Sequence, residues 1–326
     1  MSRPELLVRV VRSGLEESIH LGHVAVSDAR RRLLAHAGDP QHAVFARSSM
    51  KPLQAAVSLS VAGEEDLTDR EIAVMCASHN GEEIHVRTVG RVLHRAALGF
   101  DALRCPPGWP IDPEAMGNSG GPRRELHNCS GKHAGMLLAS VRAGWDREAY
   151  LDPEHPLQRR ILDAVLASTG EERVEVGVDG CGAPVHGMPL DRMALLYARV
   201  ADPERLGSLE PVVRRATSAM RAEPYLVAGR ERVDTALMEV TENVVVKVGA
   251  EGLVCAAVMD RGIGVAVKVA DGTARADGPA LIRTLRDLDV LDDTQVDKLD
   301  AHARPEVLGG GRAVGHIEAA FTLTAD

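Results

Sequence analysis

Ser48 stands three residues before Lys51 in the stretch FARSSMKP, residues 45–52. A hydroxyl and an amine at that spacing are the parts of a nucleophile and its base. If a helix begins near Ser48 or Ser49, residues three apart share a face, so Ser48 and Lys51 point into the same space while Ser49 points elsewhere. Pro52 then falls in the first turn, where a missing N–H is tolerated. The helix start also offers unpaired backbone N–H groups and a positive dipole end, suited to an oxyanion formed when Ser48 attacks a carbonyl. Such chemistry needs a neutral lysine. Lowering a lysine from about 10.4 to a working 7 or 8 takes about 4 kcal/mol, within what burial and a nearby cation supply. The plainer reading makes Ser48 or Ser49 an N-cap and Lys51 a solvated first-turn side chain.

Three further segments gather polar groups. CASHNGEE, Cys76 to Glu83, closes an apolar helix; Ser78 could face a cleft, or the segment is a plain C-cap with Gly81 as its left-handed residue. LHNCSGKHAGMLL, Leu126 to Leu138, packs His127, Asn128, Cys129, Lys132 and His133 ahead of another helix, and GVDGCGAPVHGMPL, Gly177 to Leu190, sets Asp179 and Cys181 in a glycine-rich loop. Loops this rich in polar groups and glycine carry function more often than packing. Cys129 and Cys181, with His127, His133 or a deprotonated Lys132, would offer the sulfur and nitrogen donors that zinc prefers. No C-x-x-C or H-E-x-x-H accompanies them, so two buried, unbound cysteines are the alternative. GGGRAVG, Gly309 to Gly315, has neither the βαβ setting nor the spacing of a nucleotide loop and reads as a hairpin turn.

The elements that must position these groups are legible in outline. At 326 residues and 45% apolar, the chain can bury a large core. Near the start, ELLVRVVRSG, SIHLGHVAVSD and RRLLAHAGD read as three strands; NVVVKVGAEGLVCAAVMDRGIGVAVKVADG, from Asn243 to Gly272, reads as three more. Helical patterns fill the middle, one more helix follows in GPALIRTLRDLDVL, and EVLGGGRAVGHIEAAF ends the chain as a hairpin. Terminal meanders left apart would each be marginal, so the two blocks should pair into one mainly antiparallel sheet flanked by helices, an α/β sandwich of non-Rossmann type. No linker marks a boundary, and residues 1–326 read as a single domain.

Composition excludes several classes. The net charge of −9, without a run of like charges, argues against a nucleic-acid partner. No segment reads as a membrane span, and the N-terminus lacks a signal peptide's apolar core, which predicts a cytoplasmic protein. Five scattered cysteines predict reduced thiols rather than a disulfide framework.

Taken together, SSMKP at Ser48 to Pro52, CASHNGE at Cys76 to Glu82, HNCSGKHAGML at His127 to Leu137 and DGCGAPVHGMPL at Asp179 to Leu190 resemble the L-asparaginase II family of the Rhizobium etli type, in order and separation across nearly the whole chain. The resemblance implies a fold similar to serine β-lactamases and glutaminases, a homodimer, and hydrolysis of L-asparagine to L-aspartate and ammonia. It implies one serine–lysine tandem of Ser48 and Lys51 and a second whose serine is Ser78. The second lysine matches Lys268 in GVAVKVADG, with Lys247 in VVVKVGAEG as the competing choice. A zinc site maps onto Cys129, Lys132 and Cys181, and no organic cofactor is implied. Arg47, His133 and Asp179 become candidates for contacts to the substrate. RCPPGWP at Arg104 to Pro110 departs from the family pattern, and Asn80 stands where relatives carry serine. Two other readings keep the same residues: a zinc-dependent amidohydrolase whose metal does the chemistry, and a non-catalytic amino-acid-binding homologue.

Overall fold

The computed structural model describes residues 3–325. In chain order its strands are β1 (Glu5–Arg12), β2 (Leu15–Asp28), β3 (Leu33–Ala37), β4 (Ala43–Phe45), β5 (Glu175–Val178), β6 (Pro184–Pro189), β7 (Val244–Val248), β8 (Leu253–Val258), β9 (Ile263–Val269), β10 (Glu306–Gly309), β11 (Arg312–Ala319) and β12 (Thr324–Ala325). The chain folds as two compact units. One takes the chain up to Ser49, Met188–Asp202 and everything from Ala236 onward; the other takes Met50–Gly187 and Pro203–Thr235.

The first unit is built on a nine-stranded sheet running β10-β11-β1-β2-β9-β8-β7, with β3 beside β2 and β12 beside β3. The seam joining the two ends of the chain is the antiparallel β2–β9 pairing, in register from Gly22 against Val269 to Asp28 against Ile263. This is the pairing the two terminal meanders require. The closing hairpin also forms, as β10 against β11.

β7 and β8 are buried at every position, and β9 at all but Lys268. Strands apolar on both faces need cover on both. The Leu190–Ala201 helix packs on β2, β8 and β9, and the Asp277–Asp287 helix packs on β8, β9 and β11. The Leu190–Ala201 segment, which falls in the helical middle of the sequence, is therefore a layer of the sheet unit. Its approach to the sheet depends on Gly264, where a Cβ would stand 2.0 Å from the Ala194 carbonyl oxygen. Gly264→Val is therefore expected to destabilise the fold by about 3 kcal/mol or more, read as a lower thermal midpoint. An unchanged midpoint would refute the close approach.

The second unit is helical apart from the β5–β6 hairpin. Its central element is the Lys51–Ala62 helix, which packs against the Ser130–Arg142, Pro156–Thr169 and Glu210–Ala222 helices. Nearly all of its residues are buried, from Lys51 and Pro52 through Leu59. A helix enclosed on all sides places its first residue in the protein interior, not in water. No helix among the described residues is long and apolar enough to cross a membrane.

Candidate active site

Arg47–Met50 forms a 3-10 turn that runs directly into the Lys51–Ala62 helix. Arg47 has a φ of 44°, a left-handed conformation that a long side chain adopts only when its surroundings impose it. Two buried hydrogen bonds hold the turn on the sheet unit: Ser49 Oγ donates to the Lys247 carbonyl at 3.0 Å, and Tyr197 Oη donates to the Ser49 carbonyl at 2.6 Å. Ser49 is thus a structural serine, fully enclosed. Ser48, beside it, keeps 8% of its surface exposed. Neither caps the helix, because the N-cap residue is Met50 and no side chain bonds there.

Lys51 is 0% exposed, which removes the solvated first-turn reading. Its Nζ lies 2.7 Å from the Ala77 carbonyl, 2.8 Å from Ser78 Oγ and 3.4 Å from the Asn128 carbonyl. Burial, with Lys132 close by, lowers its pKa against the pull of Cys129. A neutral amine has two N–H donors and one lone pair, and the three partners are two carbonyls and one hydroxyl able to donate. The same three partners can also take the three protons of an ammonium, so it is burial that favours the neutral form.

The Ser78 loop is tied down on all sides. The Asp69–Met75 helix ends at Cys76 in right-handed geometry, so Gly81, with a φ of 81°, is not the C-cap expected of it. It serves a later turn, packed against Pro110 and Leu126. Ser78 N–H donates to the Val227 carbonyl and Asn80 N–H to the Ala228 carbonyl, at 2.9 and 2.8 Å. The Asn80 side chain donates to the Arg230 carbonyl and accepts from Arg232, which makes it a structural clamp. His79 accepts from Gly81 N–H through Nδ1, and its Nε2 lies 2.9 Å from Ser130 Oγ. That bond fastens the loop to the start of the Ser130–Arg142 helix, whose following turn carries Lys132 and His133.

Those residues and the Cys181 loop form a buried sulfur–amine group. Lys132 Nζ donates to Cys181 Sγ at 3.0 Å. The hydrogen bond from Cys181 drives the Cys129 thiol well below its ordinary pKa despite burial, while the same bond together with burial raises Cys181. Burial opposes an ammonium at Lys132, but the charge on the sulfurs outweighs it and raises the pKa of this lysine. Asp179 caps the loop through Gly180 N–H at 2.8 Å and lies 3.8 Å from Cys181 Sγ. His133 is enclosed, with Nδ1 2.7 Å from Tyr150 Oη. Two soft sulfurs and an amine suit zinc by donor type. No group of three or more His, Cys, Asp and Glu side chains among the described residues is placed for a metal, so a metal here would depend on Lys132 as its third donor.

The second unit thus brings together Lys51, Ser78, Cys129, Lys132, His133, Asp179 and Cys181. Arg47, Ser48 and both late lysines belong to the sheet unit. Lys268 is half-buried on β9, its Nζ donating to the Glu251 and Val269 carbonyls. Lys247 is fully buried on β7, its Nζ donating to the Val248 carbonyl at 2.7 Å. Sequence reasoning passed over His79, Tyr150 and Tyr197. The signal for the tyrosines was rarity: the chain has three, and the two fully buried ones both hydrogen-bond to groups of the site.

Among solved structures, the chain is similar to the native form of Mglu, at 16% identity and a TM-score of 0.49, covering 83% of this chain and 62% of that one. It is similar to a Bacillus subtilis glutaminase in covalent complex with 5-oxo-L-norleucine, at 13% identity and a TM-score of 0.46, over 82% of this chain and 88% of that one. A β-lactamase from Mycobacterium bovis aligns at 12% identity and a TM-score of 0.48, over 83% of this chain and 95% of that one. TM-scores below 0.5 give these likenesses no functional weight. No curated protein sequence matches the chain. The model of the L-asparaginase II family matches residues 8–319, a span that takes in every candidate site residue, and the chain belongs to that family.

Proposed function

We propose that this amidohydrolase takes L-asparagine as its substrate and releases L-aspartate and ammonia through a serine ester. The observation that supports the reading is Lys51, fully enclosed, lowered in pKa by burial and hydrogen-bonded to Ser78. In the proposed course Ser48 Oγ attacks the side-chain amide carbon while Lys51 Nζ takes the hydroxyl proton. A C–O bond forms and the carbonyl electron pair moves to oxygen. When the pair returns, the C–N bond breaks, and the Lys51 ammonium hands its proton to the departing nitrogen, which leaves as ammonia. Water then adds to the acyl carbon, giving a proton to Lys51. Cleavage of the ester C–O bond returns that proton to Ser48.

Ser78, held on Lys51, relays protons within the pair, and the second lysine keeps Lys51 neutral by like-charge repulsion. That lysine is Lys268 by motif, with Lys247 as its competitor. Arg47, His133 and Asp179 contact the substrate. Zinc, when bound, would be held by Cys129 and Cys181 as thiolates and by Lys132 as a neutral amine, and would supply Lewis acidity. A homodimer is part of the same proposal.

Purified protein is expected to form one ammonia per aspartate from L-asparagine. Release from L-glutamine, one methylene longer, is expected to be at least about tenfold slower. Chelation is expected to leave a measurable rate. Complete loss restored by zinc alone, with no acyl-enzyme trapped, would move the chemistry to the metal. Bound asparagine without ammonia release would make the protein a binder.

A further inference from the structure

We propose that Tyr150 is a positioning residue that fixes His133 as its Nε2–H tautomer, so that His133 presents an N–H donor to an oxygen atom of the bound substrate. The inference rests on the amide-hydrolysis reading for the nature of the ligand, but its structural half stands on partner counting. Tyr150 is fully buried, and its hydroxyl oxygen has two partners: the Arg104 N–H, a donor, at 3.0 Å, and His133 Nδ1 at 2.7 Å. If the phenol donates to Nδ1, every group is satisfied except one, the Nε2–H of His133. If instead Nδ1–H donated to the phenol, both the phenolic proton and the Nε2 lone pair would be stranded. Leaving one buried polar group unpaired is less costly than leaving two.

The remaining group points to a ligand. His133 Nε2 is buried and has no hydrogen-bond partner in the structure. A stranded donor of this kind costs about 1–3 kcal/mol unless an acceptor arrives. His133 follows Lys132 on the Ser130–Arg142 helix, whose first turn meets Cys181 through Lys132 and the Ser78 loop through Ser130 and His79, which places it among the residues of the site. The acceptor assigned to it is an oxygen of the substrate, which carries such atoms in its amide and carboxylate groups. A second consequence follows for the metal. With its lone pair on Nδ1 engaged by Tyr150 and a proton on Nε2, His133 cannot serve as a metal ligand, whereas the sequence alone left it open as one.

Tyr150 is held for this task from its other side. Gln158 Nε2 donates to the Tyr150 carbonyl at 2.8 Å, and the rings of Tyr150 and His133 meet edge to face with centroids 5.6 Å apart. The phenol has little freedom to turn away.

The test combines ring-nitrogen NMR with a double-mutant cycle. In protein labelled at histidine nitrogen, with the His133 signals assigned by their loss in His133→Gln, the wild type is expected to show the Nε2–H tautomer. Tyr150→Phe is expected to convert His133 to a mixture of tautomers or to Nδ1–H, and to lower kcat/KM about 10- to 100-fold. Glutamine carries an N–H donor at the reach of Nε2 without needing the phenol, so Tyr150→Phe in the His133→Gln background is expected to cost less than about threefold. Wild-type His133 found as Nδ1–H would overturn the proposal even if Tyr150→Phe does not fold. So would equal costs of Tyr150→Phe in both backgrounds. Because the spectrum needs no substrate, a protein that shows the expected tautomer but does not hydrolyse asparagine would refute the functional reading and leave the tautomer lock standing.

Discussion

Ser48→Ala is expected to lower asparagine hydrolysis by at least about 10³-fold while circular dichroism and the thermal midpoint stay at wild-type values. The size follows from the removal of the atom that becomes the ester oxygen. The preserved fold follows from the division of labour within the turn. Ser49 carries the buried bond to the Lys247 carbonyl, Tyr197 holds the Ser49 carbonyl, and the helix N-cap is Met50 without a side-chain bond. The Ser48 hydroxyl is thus not among the groups that secure the segment. Ser49→Ala serves as the control: it removes the buried hydrogen bond to the Lys247 carbonyl and should cost about 1 kcal/mol of stability. Near-wild-type turnover in Ser48→Ala, or an acyl group trapped on Ser78, would move the nucleophile to the hydroxyl that Lys51 holds.

Lys51→Met should be equally damaging to turnover, again by about 10³-fold or more, and for a separable reason. It removes the group that accepts the proton, while a side chain of similar length fills the same space in the enclosed helix. Two effects on stability oppose each other: the Ala77 and Asn128 carbonyls lose their donor, and an amine that is costly to bury is gone. The informative readout is therefore the pH dependence. In the wild type, Lys51 has a lowered pKa in the folded protein and an ordinary one, 10.5, in the unfolded chain. Between the two, the unfolded chain binds a proton that the folded protein does not, so this lysine makes stability rise with pH through that window. Below the folded pKa its contribution levels off, with the full penalty in place. The methionine variant should lose this component of the slope. For activity the sign is the same: kcat/KM should fall as pH drops through the lowered pKa, because a protonated Lys51 cannot act as base. A wild-type profile flat down to the range of carboxylates would exclude Lys51 as the base, as would a variant retaining more than a tenth of wild-type turnover.

The elements were largely legible because their signals are local. Branched apolar runs between glycine and aspartate turns announced β7 to β9, and the same logic found the β10–β11 hairpin around Gly309 to Gly311. The joining of the chain's two ends was reachable by a simple argument, since neither meander could bury its faces alone. The assignment of the Leu190–Ala201 helix to the sheet layer was not, because it depends on Gly264 meeting a helix about seventy residues earlier in the chain. The expected C-cap at Gly81 failed for a related reason. Its positive φ answers to Pro110 and Leu126, which pattern reading within the CASHNGE segment does not see.

By itself, the sequence determined the chemical inventory and the family: serines, lysines, cysteines and their spacing survive as letters, and so does the order of the segments that carry them. Tertiary structure alone decided the state of each group. Lys51 has a lowered pKa because a helix enclosed on all sides holds it away from water. Ser49 rather than Ser48 is the structural serine because Lys247 and Tyr197, some 150 to 200 residues away, come to meet it. The Cys129 thiol is held below its ordinary pKa because Cys181, Lys51 and Lys132 lie beside it. Protonation and hydrogen-bond direction depend on desolvation and on partners remote in the chain, and only the folded backbone brings those partners within reach.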